Sequence, residues 1–302
     1  MKVLCIGHST YDIVIPVDNY PSENTKNRTS DVLYCGGGPA ANAAYLLGKW
    51  CLDKENIDIY FCGLVGDDYE GNYVEAEFKS VGVNTAYLVK DKSYETTKSY
   101  IIVNKSNASR TSIATQKSVK SLNDLSINVK PDIILVDGHE PYLSKKVIRN
   151  NPDAIVVIDA GRCNQDVVEL CHESNYIVCS RNFAEEYTGS NNLSTMLNKL
   201  RSDFGGQVVI TLEDRGCAYY NDGLKLIKSV PTKAVDTTGA GDIFHGAFVY
   251  GLINKWDMYK ILTFASTAAG LSVTHMTGRK SVFSLNKVED TYNELRRCNF
   301  YW

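Results

Sequence analysis

No run in this 302-residue chain approaches the about 18 consecutive apolar residues that a membrane-crossing helix needs, so no segment reads as a span. Long basic runs are missing too: 32 Lys and Arg stand against 35 Asp and Glu, for a net charge of −3. A nucleic-acid partner calls for a basic stripe, and that class is set aside. The nine cysteines (Cys5, Cys35, Cys51, Cys62, Cys163, Cys171, Cys179, Cys217 and Cys298) contain no Cys-x-x-Cys pair, and the five histidines form no cluster, which argues against zinc. There is no Gly-x-x-x-x-Gly-Lys-Ser/Thr loop, no protein-kinase catalytic loop and no Asp-Phe-Gly motif. Internal repeats and low-complexity linkers are also absent. The cysteine count is odd, and Cys5 and Cys62 sit inside apolar runs, as small core residues of a reduced, cytoplasmic protein would. Met1 to Gly7 reads as a short strand rather than a signal peptide, because its apolar run stops at Gly7-His8.

What the chain does have is ordinary globular material: 44% apolar and 22% charged residues. A chain of this length buries about 75% of its unfolded surface, so a large core is available. Strand-length apolar runs at 2–6, 57–62, 132–136, 154–159, 175–179 and 207–211 alternate with helical patterns at 40–49, 69–80, 142–150, 164–171, 192–203, 240–253, 257–275 and 286–296. Runs such as Asp-Ile-Ile-Leu-Val suit strands buried on both faces, and the alternation predicts a doubly wound, mostly parallel α/β sheet. Two pairs of segments break the rhythm. Residues 11–17 and 29–34, and then 97–103 and 109–115, alternate apolar and polar side chains. They read as hairpins of a small lid (approximately 11–34 and 97–115) inserted in one domain spanning 1–302.

The most informative stretch is Asp236-Thr237-Thr238-Gly239-Ala240-Gly241-Asp242, which runs into an amphipathic helix with Ile243 and Ala247, and Phe244, Phe248 and Leu252, at helical spacing. Glycines let a ligand approach the backbone, and the first N–H groups of a helix lack partners and attract anions. A carboxylate beside an anion site is a poor phosphate ligand. It is well placed to take a proton from an alcohol that attacks the phosphate. The pairing points to phosphoryl transfer, with the N–H groups of Gly239, Ala240 and Gly241 stabilising the moving group and Asp242 as general base. The plain alternative is a first-turn helix carboxylate after a glycine turn.

This string resembles the C-terminal signature of the ribokinase-like carbohydrate kinases, the PfkB family, and the likeness extends along most of the chain. The Gly36-Gly37-Gly38-Pro39-Ala40-Ala41-Asn42 stretch is similar to the family's N-terminal Gly-Gly signature, which implies that Gly37, Gly38 and Asn42 face sugar hydroxyls. The family's sugar-binding carboxylate falls on Asp12. Asp137-Gly138-His139-Glu140-Pro141 ends a buried strand, where α/β ligands gather, and the sequence leaves open whether His139 or Glu140 touches the sugar. Asn182-Phe183-Ala184-Glu185 resembles the Asn-x-x-Glu motif, implying Asn182 near the nucleotide phosphates and Glu185 holding Mg²⁺ through water. Thr211-Leu212-Glu213-Asp214-Arg215-Gly216 is similar to the nucleotide loop, with Glu213 where Gly is usual, and Ser266 matches a position near adenine. Members often use K⁺, and Asp236, Thr238, Ser272 and Gly278 would surround it. Arg162 reads as a surface side chain or a helper for phosphate charge. The resemblance implies an ATP-dependent kinase of a small carbohydrate, fructose/ketose- or ribose-like, dimeric through the lid. The Asn107-Ala-Ser-Arg110-Thr111 turn resembles fructose- and ketohexose-directed members. A nucleoside kinase of the same family is the nearest alternative. From other classes, Gly36 to Ala41 also fits a Gly-x-Gly-x-x-Ala fingerprint of an NAD(P)-dependent oxidoreductase, and a non-catalytic sugar sensor would bind sugar without releasing ADP.

Overall fold

Val3-Leu4-Cys5-Ile6 has no polar face, and it lies inside the main sheet, with a parallel strand paired on each side. The computed structural model describes residues 1–115, 120–298, 300 and 301. In chain order the elements are β1 (Lys2–Ile6), β2 (Thr10–Val17), β3 (Leu33–Gly37), α1 (Pro39–Cys51), β4 (Asp58–Gly66), α2 (Tyr69–Ser80), β5 (Asn84–Asp91), β6 (Lys98–Asn104), β7 (Ser109–Thr115) and β8 (Ile133–Val136). They continue with α3 (Pro141–Asn150), β9 (Ile155–Ala160), α4 (Gln165–His172), β10 (Tyr176–Ser180), α5 (Arg181–Thr188), α6 (Leu193–Phe204), β11 (Gln207–Thr211), β12 (Cys217–Tyr220), β13 (Leu224–Ile227), α7 (Ala240–Ile253), α8 (Met258–Ser272) and α9 (Leu285–Arg297).

Among the described residues the main sheet has the order β13-β12-β11-β10-β9-β8-β1-β4-β5. From β11 to β5 every pairing is parallel, and β12 and β13 add an antiparallel edge. The two-residue period of a strand divides its apolar residues between two cores. Val3, Cys5, Ile133, Leu135, Val157, Val178 and Val209 face one core, shared with α1, α7 and α8. Leu4, Ile6, Ile134, Val136, Val156, Ile158 and Ile210 face the other, with α3, α4 and α6. This is the doubly wound arrangement that the uniformly apolar runs predict.

α7 is buried all round from Ile243 to Ile253, as a helix without a polar face must be. Burying each large apolar side chain there contributes about 1.5–3 kcal/mol. Its close fit to α1 rests on Gly246, where an added Cβ would stand 3.2 Å from the Cα of Ala43. Packing at this point fixes the height of the α7 N-terminus, and with it the position of Asp242.

The small sheet has the order β3-β2-β6-β7. β2–β3 and β6–β7 are antiparallel, and β2–β6 is parallel. The strand expected at 29–34 is displaced: β3 begins at Leu33 and takes in Gly36 and Gly37, which pair with Tyr11 and Thr10. Polar side chains from elsewhere lie against these glycines and exclude a Cβ, so a real strand carries the composition of a loop. Three further strands and one helix carry weak patterns. β5 and β13 are edge strands with much of their surface exposed, β12 has four residues, and α5 has eight. Ser180 caps α5 by accepting from the Phe183 N–H, so Asn182 lies inside the first turn rather than at the cap.

Candidate active site

After β1 the chain turns one way, to β4 and β5; later it returns to β8 on the opposite side and continues outward through β9 to β11. The carboxyl ends of β1 and β8 therefore flank a topological switch point, the place where open α/β sheets bind ligands. A cleft of about 740 Å³ opens there. Gly7 and His8 after β1, Asp137 to Glu140 after β8, and Asp159 in β9 form its floor. The small sheet covers it with Asp12, Ser99, Ile101, Ser112 and Ala114, and α1 and α7 enter with Gly38, Asn42, Thr238, Gly239 and Asp242.

Gly239 caps α7 with φ 77°, a left-handed conformation that glycine tolerates. The turn is packed: a Cβ at Gly239 would lie 2.9 Å from the Cα of Gly278. A Cβ at Gly241 would meet nothing within 4 Å, so open space faces this first turn. Among the described residues no group of the chain accepts from the N–H of Gly239 or Gly241, and Ala240 N–H has a long bond to Thr237 O at 3.4 Å. Asp242 is half-buried at the cleft wall, and its Oδ2 accepts from Asn42 Nδ2 at 2.7 Å. Desolvation raises its pKa, while the Asn42 bond and the charges of His245 and Arg110 act in the opposite direction. A carboxylate kept somewhat basic is better suited to accept a proton. His245, one turn on, lies behind Asp242: its Nδ1 is 2.7 Å from Gly241 O, its Nε2 is 3.1 Å from Val178 O, and Asp159 is 3.3 Å away.

Asp12 points inward from β2 and is buried. Thr10 Oγ1 donates to it at 2.7 Å, and burial pushes its pKa up to about 6 against the pull of Thr10 and Arg279. A side chain at Gly37 would collide with that carboxylate at 2.2 Å. Gly38, with φ 100°, would place a Cβ 2.2 Å from His8 O. The glycine run therefore brings backbone against Asp12 and His8 while starting α1, which carries Asn42 to Asp242.

Asp137 is fully engaged. It accepts from the N–H groups of His8 at 3.0 Å, Ala40 at 3.1 Å and His139 at 3.0 Å, and pairs with His139 Nδ1 at 3.1 Å. Burial works to raise its pKa, but His139 and these bonds hold it below the usual carboxylate range. The His139 ring stacks on His8 with centroids 4.8 Å apart. Burial lowers the His8 pKa to about 4, leaving that ring neutral. Glu140 accepts from Leu122 N–H at 3.2 Å, and burial raises its pKa. Both His139 and Glu140 line the cleft. Asp159 is pushed up to about 6 by burial, despite its pairing with His245.

Most of the remaining expected residues lie outside the cleft lining, Thr238 and Arg162 excepted. Asn182 and Glu185 are on α5, where Glu185 pairs with Arg181 Nε at 2.5 Å. Thr211 ends β11 and donates to Cys179 O at 3.2 Å. Glu213 has φ 57°, so the backbone keeps the left-handed shape that glycine would adopt without strain. Gly216 has φ 91°, and a Cβ there would strike Ile227 O at 1.9 Å. Ser266 is buried on α8, 4.0 Å from Cys217 Sγ. Asp236 is buried, accepting from Thr238 N–H and Oγ1 at 2.8 and 2.6 Å and from Thr277 N–H at 2.9 Å. It thereby clasps the 236–238 loop to the 277–278 turn. Ser272 donates to Ala269 O at 2.8 Å. Arg162 lines the cleft, and Arg110 reaches from β7 to donate to Thr237 Oγ1 at 2.6 Å, joining the small sheet to the loop before α7.

Sequence reasoning missed Arg279, Glu77 and His245. Arg279 follows Gly278 and is 1% exposed, and no sequence pattern marks a buried arginine. The dinucleotide reading of Gly36 to Ala41 fails on topology. Its preceding strand, β3, is an antiparallel member of the small sheet rather than the parallel strand of a βαβ unit.

The chain matches the pfkB family carbohydrate kinase model over residues 1–283. It is 25% identical over 287 residues to a nucleoside kinase of Methanocaldococcus jannaschii, covering 89% of each chain. Over 307 residues it is 26% identical to a ribokinase of Bacillus subtilis, covering 96% of this chain and 99% of that protein. Its fold superposes on the Arabidopsis thaliana ribokinase complexed with ribose and ATP with a TM-score of 0.79, at 21% identity, over 96% of this chain and 98% of that one. By the family match along nearly its whole length, the chain belongs to the pfkB family of carbohydrate kinases, phosphotransferases that act on an alcohol group.

Proposed function

We propose that this protein transfers the γ-phosphate of ATP to a hydroxyl of a small free sugar, ketose- or ribose-like, with Asp242 as general base. The observation that carries the reading is that Asp242 and Gly239, the N-cap of α7, line one cleft at the switch point. In the proposal the acceptor hydroxyl donates to Asp242, and its oxygen attacks the γ-phosphorus as the bond to the ADP oxygen breaks. The proton ends on Asp242, and the N–H groups of Gly239, Ala240 and Gly241 face the charge on the moving group. Asp12, Gly37, Gly38 and Asn42, with His139 or Glu140, hold the sugar. The nucleotide lies toward Asn182, Thr211, Glu213, Gly216 and Ser266.

Among the described residues no three His, Cys, Asp or Glu side chains converge as a metal cage. Glu185 is the carboxylate that would hold Mg²⁺, through water, with phosphates and water completing its ligands. When bound, Mg²⁺ neutralises phosphate charge. Asp236, Thr238, Ser272 and Gly278 are the proposed surroundings of K⁺, a role supported by the Asp236 clasp beside the anion loop. No helix among the described residues is long and apolar enough to cross a membrane. A dimer through the lid is supported by the outer face of the small sheet. There Tyr34, Ile13, Tyr100 and Ile113 stand in one cross-strand row, three of them exposed. Ile113→Asp is expected to shift the dimer to monomer in light scattering.

The test of function is ADP release over a panel of free sugars, sugar phosphates and nucleosides, with and without K⁺. Release with a free ketose or pentose supports the proposal. Release with nucleosides alone replaces it with the nucleoside-kinase reading, which the relationship to a nucleoside kinase keeps in view.

A further inference from the structure

Arg279 turns its guanidinium inward and bonds to other parts of the protein. Its Nε donates to Asn42 Oδ1 at 3.2 Å, its Nη1 to Glu77 Oε2 at 3.0 Å, and its Nη2 is 3.5 Å from Gly37 O. The guanidinium carbon stands 4.4 Å from the Phe78 ring centroid and 5.5 Å from that of Tyr45. Glu77, on α2, also accepts from Gly36 N–H at 2.7 Å, which ties the base of β3 to the same group. Space for the guanidinium exists only because residue 36 is glycine: a Cβ there would lie 2.1 Å from Nη1.

An asparagine amide has two faces, an acceptor oxygen and a donor nitrogen, and its orientation follows from its neighbours. Arginine is a donor only, in a fixed plane. With Arg279 Nε against it, Asn42 must present Oδ1 to the arginine and Nδ2 to Asp242. The reverse orientation would set an amide oxygen against the Asp242 carboxylate and an N–H₂ group against a guanidinium. We infer that Arg279 is a positioning residue: through Asn42, and braced by Glu77, it fixes the orientation and ionised state of the base. This rests on the reading of Asp242 as base.

The charged groups that face Asp242 are Asp12 from β2, Arg110 from β7, Asp137 after β8, Asp159 in β9 and His245 on its own helix. Of these, Asp12 also feels the Arg279 charge, so the acid limb is read in kcat at saturating sugar, where an effect of Asp12 on sugar binding drops out; there a change reports on the Asn42 link and the Arg279 charge. The experiment compares wild type, Arg279→Met, Asn42→Ala and the double variant in the full-length protein, using the sugar and ATP identified by the ADP-release panel. Folding is checked by circular dichroism. In Arg279→Met, kcat is expected to fall about tenfold or more, less than the ~10²–10⁴ that a general base supplies, with KM values at pH 8 within about threefold of wild type. Its acid limb is expected to move to higher pH. Asn42→Ala moves the limb in the same direction, and adding Arg279→Met moves it less than the sum of the two separate shifts. An unmoved limb with unchanged kcat, a loss confined to KM, or fully additive shifts overturns the inference. Should Arg279→Met not fold, Arg279→Lys carries the same test, because it keeps a charge for Glu77 without a second in-plane donor for Asn42. Asp242→Asn is measured in parallel. Surviving turnover there overturns the base reading itself, whereas lost turnover there beside an unmoved Arg279→Met profile overturns only the inference.

Discussion

The two sides of the cleft are built differently. On the proposed acceptor side, hydrogen bonds join residues far apart in the chain: Asn42 to Asp242 across 200 positions, Arg279 to Asn42 across 237, Arg279 to Glu77 across 202, and His8 to Asp137 across 129. On the proposed nucleotide side the polar groups bond to near neighbours. Glu185 pairs with Arg181 four positions away, and Gly216 N–H bonds to Glu213 O. Thr211 bonds across to the adjacent strand. The long-range set ties α1, α2, α7 and the 277–279 turn into one unit, so the acceptor side is held in shape by the protein alone. Such preorganisation is what positions a base for catalysis. The nucleotide side has fewer such cross-ties and relies on backbone shapes: Glu213 and Gly216 at positive φ.

Substitutions on the two sides therefore have different expected signatures. The largest effect is on the acceptor side: Asp242→Asn is expected to lower kcat by ~10²–10⁴ with the fold intact by circular dichroism, which steady-state ADP release measures. Next, Asp12→Ala removes a charged acceptor whose bonds are worth about 1.5–3 kcal/mol, so sugar kcat/KM is expected to fall roughly 10- to 100-fold while ATP KM changes little. The pH dependence is smaller and has a definite sign. Asp12 in the folded protein takes up a proton as pH falls through about 6, because burial raises its pKa. Protonation replaces an acceptor with a donor, so sugar KM is expected to rise below that pH by at most about tenfold per unit. The ATP KM, measured over the same range, is the control. The smallest effect belongs to the nucleotide side. Glu213→Gly relieves a side chain held at φ 57°, and a gain of at most about 1 kcal/mol in denaturant unfolding is expected, with sugar KM unchanged. A change in sugar KM in that variant would break the contrast between the two sides.

Much of this was readable before the structure because the informative residues are contiguous. Uniform apolar runs gave β1, β8, β9, β10 and β11, since a strand buried on both faces carries no polar alternation. Asp236 to Asp242 announced a glycine turn opening a helix, and the structure has that turn, with Gly239 as its cap. Edge strands β5 and β13 were illegible because half their surface faces solvent, and the glycines of β3 read as loop because the reason for them lies in Asp12 and Arg279. Arg279 and Glu77 were invisible for a related reason: a lone arginine or glutamate is most often a surface residue, and only tertiary packing brought these two together behind Asn42.

The central claim is that Asp242 and the α7 N-terminus meet at the same transferring phosphoryl group. A crystal structure with ADP, the accepted sugar and aluminium fluoride in place of that group tests it most directly. The account predicts the acceptor hydroxyl within about 3 Å of an Asp242 oxygen, with the fluoride complex on the N–H groups of residues 239–241. A sugar hydroxyl directed away from Asp242, or a fluoride complex seated elsewhere in the cleft, would contradict it.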